Sequence, residues 1–572
     1  MKIVGVTCHY TGNHDNSAAL LVDGELVFAE SEERITRIKH DRRLPVRAIE
    51  HALKSQNLKP SQVDYYVSAS PPTNNIKLLL HSINGFHHTS FIDVSRWLIE
   101  RSISFLLSKR NAQTEPDRKL PGNKLRFVSH YLAHAETAYS FSGMNDCLVV
   151  AWDGYGIEES GLPLCGSVYL GEAGELKLLE NISAYSSLAL YYGAVTVALG
   201  FKLNDGEGKT MGLAAYGKPS QAVRELRKIF PNFTNSKWHA VSNWLDINGV
   251  SRGEYFKRTR TFKKIKSLID TYGKAQVAFA AQLILEEEGE KFFKYLLKKY
   301  KKRNVALAGG IFLNVRFNMR LLKNGIVDKL FVYPNPGDGG VAVGAAIALH
   351  KRLGGNIKTS ELQNAALGCE FHDKDYMKAI KRFGKRITAI KFGKNIGKVA
   401  ARDIMNGFVI GWFQGRGEWG PRALGQRSVL ADPRKIETKK RINSRLKQRD
   451  WFMPFAPAIL EEHKDEVLTH GFGTLFMTLA DDVKLKIAKK IPAAIHIDNT
   501  ARAQIVRKKT TPKYWQVINE FYKLTGVPVI LNTSFNRHGL PIVHSPTEAI
   551  EHLLWGSVDK LIMGDYLITK KE

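Results

Sequence analysis

Two stretches of the chain repeat one alternation of apolar and polar positions. Residues 1–30 run KIVGVTCHY, the polar loop TGNHDNS and then AALLVDGELVFAE. That order predicts strand, loop, strand, tight turn and strand, with Asp23-Gly24 as the hairpin turn. Near residue 147 it returns as CLVVAWD, a glycine loop, LCGSVYLG, the turn EAGE and LKLLENI. A repeated supersecondary unit predicts a duplicated α/β domain with a cleft between its halves. Further on, the spacing predicts a long amphipathic helix over 274–300 and a short apolar strand in NVALAGG. The glycine turn PNPGDGG then opens a small-residue helix, VAVGAAIALH. The polar, glycine-rich RLGGNIKT at 352–359 is the predicted boundary. Beyond about 360 a second α/β region carries the arginine motifs GRGEWGPRALGQRS, NSRLKQRDWFMPFAP, TARAQIV and LNTSFNRHG.

A chain of 572 residues needs more than one core, and 44% hydrophobic residues describe a globular protein. Met1-Lys2 leads straight into a strand rather than a signal peptide, and the uncharged stretch 186–201 is too short and too interrupted by glycine to span a bilayer. Four cysteines without CxxC spacing read as reduced core residues, so the expected location is cytoplasmic. The net charge of +29 invites nucleic acid, an anionic membrane or polyphosphate. Lysine and arginine are spread along the chain, however, and no nucleic-acid-binding motif accompanies them, so no nucleic-acid partner is expected.

Chemistry enters with HYLAHAETAYS. His130 and His134 are four apart, so a helix carries both imidazoles on one face, as a divalent cation needs. Asp153 ends the run CLVVAWD and opens the turn DGYG, and Asp338 sits in NPGDGG. Two imidazoles and two carboxylates suit Fe²⁺, Mn²⁺ or Zn²⁺ better than Ca²⁺ or a thiolate-bound metal. The turns DGYG, AGGIFLN and PGDGG follow strands, where glycine lets backbone amides approach a nucleotide's phosphates. Without a ligand, the same residues are a buried helix face and ordinary tight turns. GEGKT at 206–210 is not a phosphate loop, because that motif needs glycine where Leu203 stands. His14, in the loop TGNHDNS, is placed to take a proton from an attacking hydroxyl, the alternative being an idle loop histidine. The downstream arginine loops offer fork-shaped donors to phosphate or carboxylate oxygens, the alternative being surface ion pairs.

Taken in order, these motifs resemble the O-carbamoyltransferases that modify nodulation factors, cephem and aminoglycoside antibiotics and some surface glycans. The match runs through NHDNSAALLVDG, EERITRIKH, HxxxH, the Asp153 turn, GEGKTMGLAAYG, GGIFLN, PGDGG, GPRALGQRS, PFAP and LNTSFN, essentially the whole chain. The resemblance implies a duplicated actin/Hsp70-type, Kae1-like ATPase-fold domain over 1–355 and a YrdC-like α/β domain over 360–572. It implies that carbamoyl phosphate loses phosphate in the second domain and that ATP, accompanied by Mg²⁺, adenylates the carbamate. The carbamoyl-adenylate then passes to the first domain, where Fe²⁺ helps transfer the carbamoyl group to a hydroxyl of a small-molecule or glycan acceptor. Carried residue by residue, the metal ligands fall on His130, His134, Asp153 and Asp338, and the proton acceptor on His14. First-domain nucleotide contacts fall on Lys39, Gly310 and Asn314, with Glu207 a weaker ribose candidate. Second-domain contacts to carbamoyl phosphate and ATP fall on Arg416, Arg422, Lys447, Arg449, Arg502, Asn532 and Ser534.

Two departures stand out. Met453 stands where the family commonly has an arginine before PFAP, so either Arg449 or another cation compensates or the pocket differs. The stretch 74–124, containing SRWLIERSISFLLSKR, offers Trp97, Leu98, Ile103, Phe105 and Leu106 either to a lipid-linked or polymeric acceptor at a membrane surface or to the core. Two other functions compete. The charge favours a tRNA-modifying, threonylcarbamoyl-type enzyme, and the fold class allows a non-enzymatic nucleotide-binding scaffold. No feature fixes an oligomeric state.

Overall fold

The computed structural model describes residues 1–7, 15–69, 120–158, 163–241, 246–247, 250 and 254–571. Cys8, His14 and the apolar residues singled out between 97 and 106 lie outside the described residues. The chain divides into two compact units, Met1–Val27 with Arg42–Glu361, and Phe28–Asp41 with Leu362–Glu572. The later break falls just past RLGGNIKT. Phe28–Asp41, however, belongs to the second unit, which a division by sequence position does not yield. The reason is local: Arg34 donates to the carbonyls of Glu418 and Gly420, and Arg37 to those of Pro541 and Ile542.

The first unit's sheet is formed by β1 (Lys2–Thr7), β2 (Ser17–Val22), β3 (Glu25–Ser31), β4 (Tyr65–Ser68) and β5 (Leu125–Phe127) in the order β3-β2-β1-β4-β5, the residues of β3 from Phe28 on counting with the second unit. β1 runs antiparallel to β2 and parallel to β4, which is parallel to β5. The second sheet repeats this plan. It uses β6 (Asp146–Ile157), β7 (Pro163–Glu172), β8 (Glu175–Ser183), β11 (Asn304–Ala308) and β12 (Lys329–Val332) in the order β8-β7-β6-β11-β12, while β9 (Asn232–Thr234) and β10 (Lys237–His239) make a separate ribbon. Again the first strand is antiparallel to its hairpin partner and parallel to the next. Both hairpins turn through two residues of positive φ: Asp23 (50°) and Gly24 (85°), then Ala173 (51°) and Gly174 (90°). That geometry matches the twist of the flanking strands.

Two helices occupy equivalent places in the repeats. His130–Ser140 follows β5 and packs on β6 and β11, whereas Val341–Arg352 follows β12 and packs on β1 and β2. They also pack on each other, and their alanine and glycine content follows from how closely the backbones approach. A Cβ on Gly344 would lie 1.7 Å from the Ala133 carbonyl oxygen, and one on Gly5 1.9 Å from that of Ala342. The long helix Lys274–Tyr300 has the bounds its spacing predicts.

The second unit is built on one mixed sheet of order β13-β22-β21-β14-β15-β20-β16-β19. Its strands are β13 (Ile387–Lys391), β14 (Ile410–Phe413), β15 (Arg427–Ala431), β16 (Ala456–Leu460), β19 (Gln504–Val506), β20 (Val529–Ser534), β21 (Lys560–Met563) and β22 (Tyr566–Lys570), with a short ribbon of β17 (Asp481–Asp482) and β18 (Thr500–Ala501) beside them. Alternate strand residues feed two cores. Ile410, Trp412, Leu430 and Ile562 pack under helices Ile396–Met405 and Pro512–Thr525. Phe413, Val429, Ala431 and Met563 pack under Asp373–Phe383 and Pro546–Leu554. Coverage on both faces explains why these strands are apolar throughout. Cys147, Cys165 and Cys369 are buried free thiols. No helix among the described residues is long and apolar enough to cross a membrane.

Because backbone carbonyl and helix cannot yield to a side chain at Gly344, Gly344→Val is expected to cost about 3 kcal/mol or more, the upper range of core overpacking. Urea denaturation followed by circular dichroism checks this, and a midpoint equal to wild type would refute the tight crossing.

Candidate functional site

His130 and His134 open the helix His130–Ser140 and are buried. Ser129 caps the helix by accepting from the Leu132 amide, and the Glu158 carboxylate accepts from Ser129 Oγ (2.9 Å) and the Tyr131 amide (3.3 Å). Glu158 was not singled out from the sequence, because nothing local links it to a helix start many residues upstream. Asp153 lies where the β6–β7 register shifts, between Trp152 and Gly156, so its side chain leaves the ladder. Its Oδ1 accepts from the amides of Gly154 (2.8 Å) and Gly310 (3.1 Å). Oδ2 faces the imidazoles. Asp338 opens the turn before helix Val341–Arg352, and that turn is tied down by Thr7 Oγ1 on the Asp338 carbonyl (3.1 Å) and Ser17 Oγ on the Gly339 carbonyl (2.7 Å).

His134 Nε2 lies 3.5 Å from both Asp153 Oδ2 and Asp338 Oδ1; His130 Nε2 lies 3.9 and 3.7 Å from the same atoms. One ligand atom from each residue falls within 4.8 Å of every other. These separations exceed hydrogen-bond length yet approach the roughly 3.4 Å between neighbouring ligands of a tetrahedral ion bound at about 2.1 Å. The residues therefore fit a divalent cation, in donor type as well as spacing. Burial alone would depress the His134 imidazole, but Asp153 and Asp338 raise it to about 9. Despite its own burial, Asp153 is held well below the usual carboxylate range by His130 and His134.

The other first-domain candidates have defined partners. Gly310 gives its amide to Asp153, and Asn314 caps helix Val315–Lys323 while exchanging hydrogen bonds with Gln282 (3.0 and 2.9 Å). Glu207 opens helix Glu207–Ala214 and accepts from the Asn204 amide. The run GEGKT thus enters this helix from a turn, not from a strand. Lys39 is part of the second unit, where its charge acts on Lys447.

The second unit gathers positive charge. Arg422, Arg449 and Arg502 are partly buried, and none is paired with a carboxylate among the described residues. Burial, then the like charges of Arg422 and Arg449, push Arg502 well below the usual arginine range. Burial and Arg449 bring Arg422 down to about 10, and burial does the same to Arg449. Lys447, 2% exposed, is lowered by burial and by Arg449 and Lys39. Its Nζ is held by neutral oxygens alone: the Ser534 carbonyl (2.5 Å) and Oγ (2.8 Å), and the Asn536 carbonyl (3.1 Å) and Oδ1 (2.8 Å). Mutual repulsion without carboxylate partners is the arrangement of a site made for an anion. Arg416 does something else, tying the carbonyls of Leu367 (2.7 Å) and Gly368 (3.1 Å). Asn532 is buried in β20 beside Gln504, which the sequence reading did not single out.

Known proteins match over both units. The family model described as carbamoyltransferase N-terminus matches residues 2–347, and that described as carbamoyltransferase C-terminus matches 401–570. The nodulation protein NolNO of Sinorhizobium fredii is 34% identical over 98% of this chain and 79% of its own length. NolO of Bradyrhizobium diazoefficiens is 36% identical over 78% of this chain and 79% of its own. Among solved structures, full-length HypF in its phosphate- and nucleotide-bound form aligns over 62% of this chain and 56% of that one, at 12% identity and a TM-score of 0.34, too low to decide a fold. With one family model spanning the first unit, a second model from the same family most of the other, and relatives above 30% identity, the chain belongs to the carbamoyltransferase family of enzymes.

Proposed function

We propose that the protein is an O-carbamoyltransferase that forms carbamoyl-adenylate from carbamoyl phosphate and ATP in its second unit and passes the carbamoyl group to a sugar hydroxyl in its first. The observation that carries this reading is the group of Arg422, Arg449 and Arg502, with Lys447 beside Arg449, cations without carboxylate partners among the described residues that suit a substrate with several phosphoryl oxygens. The repeated five-strand plan supports an actin/Hsp70-type first unit, and we read the second as YrdC-like.

In the second unit one water molecule cleaves carbamoyl phosphate to carbamate and phosphate, and the carbamate oxygen then attacks the α-phosphorus of ATP and expels pyrophosphate. The guanidinium forks bind phosphoryl oxygens and stabilise the charge that develops. Enclosure keeps water from the unstable carbamate. In the first unit, His130, His134, Asp153 and Asp338 would hold a divalent ion, Fe²⁺ foremost with Mn²⁺ or Zn²⁺ as alternatives, which when bound polarises oxygens of the donor. There the acceptor oxygen bonds to the carbamoyl carbon, the bond to AMP breaks, and His14 takes the hydroxyl proton.

Purified protein given carbamoyl phosphate and ATP should release phosphate and pyrophosphate before any acceptor is supplied. Arg502→Ala should slow that release at least about tenfold, the equivalent of one charge-assisted hydrogen bond of about 1.5–3 kcal/mol. Wild-type rates in that variant would remove the anion-site assignment.

His134→Ala and His14→Asn should both keep carbamoyl phosphate-dependent pyrophosphate release yet lose transfer to an accepted glycan, with bound iron falling only in the first. Loss of pyrophosphate release in His134→Ala would contradict two separate sites.

A third expectation concerns protons. His134 sits near 9, above its ordinary 6.5, so the metal-free protein carries that proton at neutral pH. Its stabilising contribution is present below pH 6.5 and lost as pH rises through about 9. A cation must displace the proton, so Zn²⁺ added to chelator-stripped protein near pH 7 should release it, with the release fading as pH rises through about 9 and vanishing in His134→Ala. An indicator-dye titration with no proton released would argue against this ligand set.

A further inference from the structure

The stretch PFAPA puts two alanines, Ala456 and Ala458, on one face of β16. Asn532 stands opposite Ala456 on β20, and Gln504 opposite Ala458 on β19. Only methyl groups intervene, so the two amides meet over the strand, and Asn532 Nδ2 donates to Gln504 Oε1 at 3.0 Å. The same nitrogen donates to the Ala423 carbonyl (3.0 Å), and Gln504 Nε2 donates to the Leu424 carbonyl (2.8 Å). Carbonyl oxygens only accept, so Ala423 and Leu424 dictate which end of each amide faces them. Asn532 and Gln504 are 1% and 3% exposed. One atom is left over: Asn532 Oδ1 is buried without a hydrogen-bond partner among the described residues.

Native interiors seldom leave such an acceptor unmet. Its surroundings suggest what meets it. Ala423 directly follows Arg422, and Gln504 lies two residues from Arg502, so the two groups that hold the Asn532 amide are close in sequence to two of the guanidinium groups. Arginine and lysine only donate, and they can grip phosphoryl oxygens but cannot tell an NH₂ group from a methyl. Recognising NH₂ takes an acceptor.

We propose that Gln504 is a positioning residue that locks Asn532 with its carbonyl oxygen toward the substrate, where it accepts a hydrogen from the carbamoyl NH₂ and separates carbamoyl phosphate from acyl phosphates lacking one. This rests on the assignment of the second unit to carbamoyl phosphate. Without Gln504, Asn532 keeps only the Ala423 carbonyl against rotation, and the acceptor is held less firmly.

The test uses full-length enzyme, measuring the KM for carbamoyl phosphate by pyrophosphate release and the inhibition constant of acetyl phosphate. Gln504→Met should raise the KM for carbamoyl phosphate about tenfold while acetyl phosphate binding changes less than about twofold, since only the first ligand uses the acceptor. Gln504→Glu, which still accepts from Asn532 Nδ2, should recover most of the lost discrimination. Gln504→Leu serves the same comparison should the methionine variant melt early. Equal changes for both ligands, or an unchanged ratio, would overturn the positioning role. Wild-type enzyme that releases no pyrophosphate from carbamoyl phosphate and ATP would instead bring down the underlying assignment together with this one.

Discussion

A helix crossing with no side chain in it governs the first unit. Gly344 of one helix lies against the Ala133 carbonyl of the other, so the backbones touch and their starting residues are brought together. Those starts are the chemistry. His130 begins one helix, and Asp338 begins the turn that leads into the other. Because the helices hold equivalent places in the two repeats, the duplicated fold brings His130 and His134 from one repeat beside Asp338 from the other. The β6 irregularity adds Asp153, oriented by two backbone amides. A candidate ligand set drawn from three elements is preorganised for a cation, and the opposing charges of imidazole and carboxylate hold the four side chains together.

The second unit follows the opposite rule, gathering like charges. Burying Arg422, Arg449, Arg502 and Lys447 near one another costs free energy that no carboxylate among the described residues offsets. A sheet buried on both faces can bear that cost, since its two cores hold the strands in register whatever the loops demand. Neutral oxygens of Ser534 and Asn536 grip Lys447 without cancelling its charge. Stability is held in the cores and strain in the loops, a division expected where binding is the purpose.

What could be read from the chain follows the range of the forces involved. The hairpins at Asp23-Gly24 and EAGE, the helix Lys274–Tyr300 and the HxxxH face depend on spacing within a few residues, and the structure carries each of them. Glycine turns after strands pointed to Asp153 and Asp338 because a tight turn at a strand end limits where its acidic residue can go. Lys39 could not be assigned this way. Its membership in the second unit rests on Arg34 and Arg37 binding carbonyls hundreds of positions later, and alternation carries no trace of that. Arg416 shows the converse: in an arginine-rich loop it looks like its neighbours, yet its guanidinium also ties the carbonyls of Leu367 and Gly368, which spacing does not show. Gln504 escaped notice because a lone glutamine after TARA has no periodic signature, and its role depends on which residues face each other across β16.

Met453 can be understood in the same terms. Its amide donates to the Asp450 carbonyl (3.0 Å), closing the turn that carries Arg449, whose guanidinium lies 5.6 Å from the Phe455 ring. A further arginine at 453 would add another cation to a group whose members already depress one another. Each added like charge raises the cost of the empty site, whereas the gain on binding is bounded by the oxygens the ligand offers. On the proposed reading of this group as an anion site, Arg449, held against an aromatic face, supplies charge from a fixed direction, and a neutral methionine in the turn spares the empty site one more like charge.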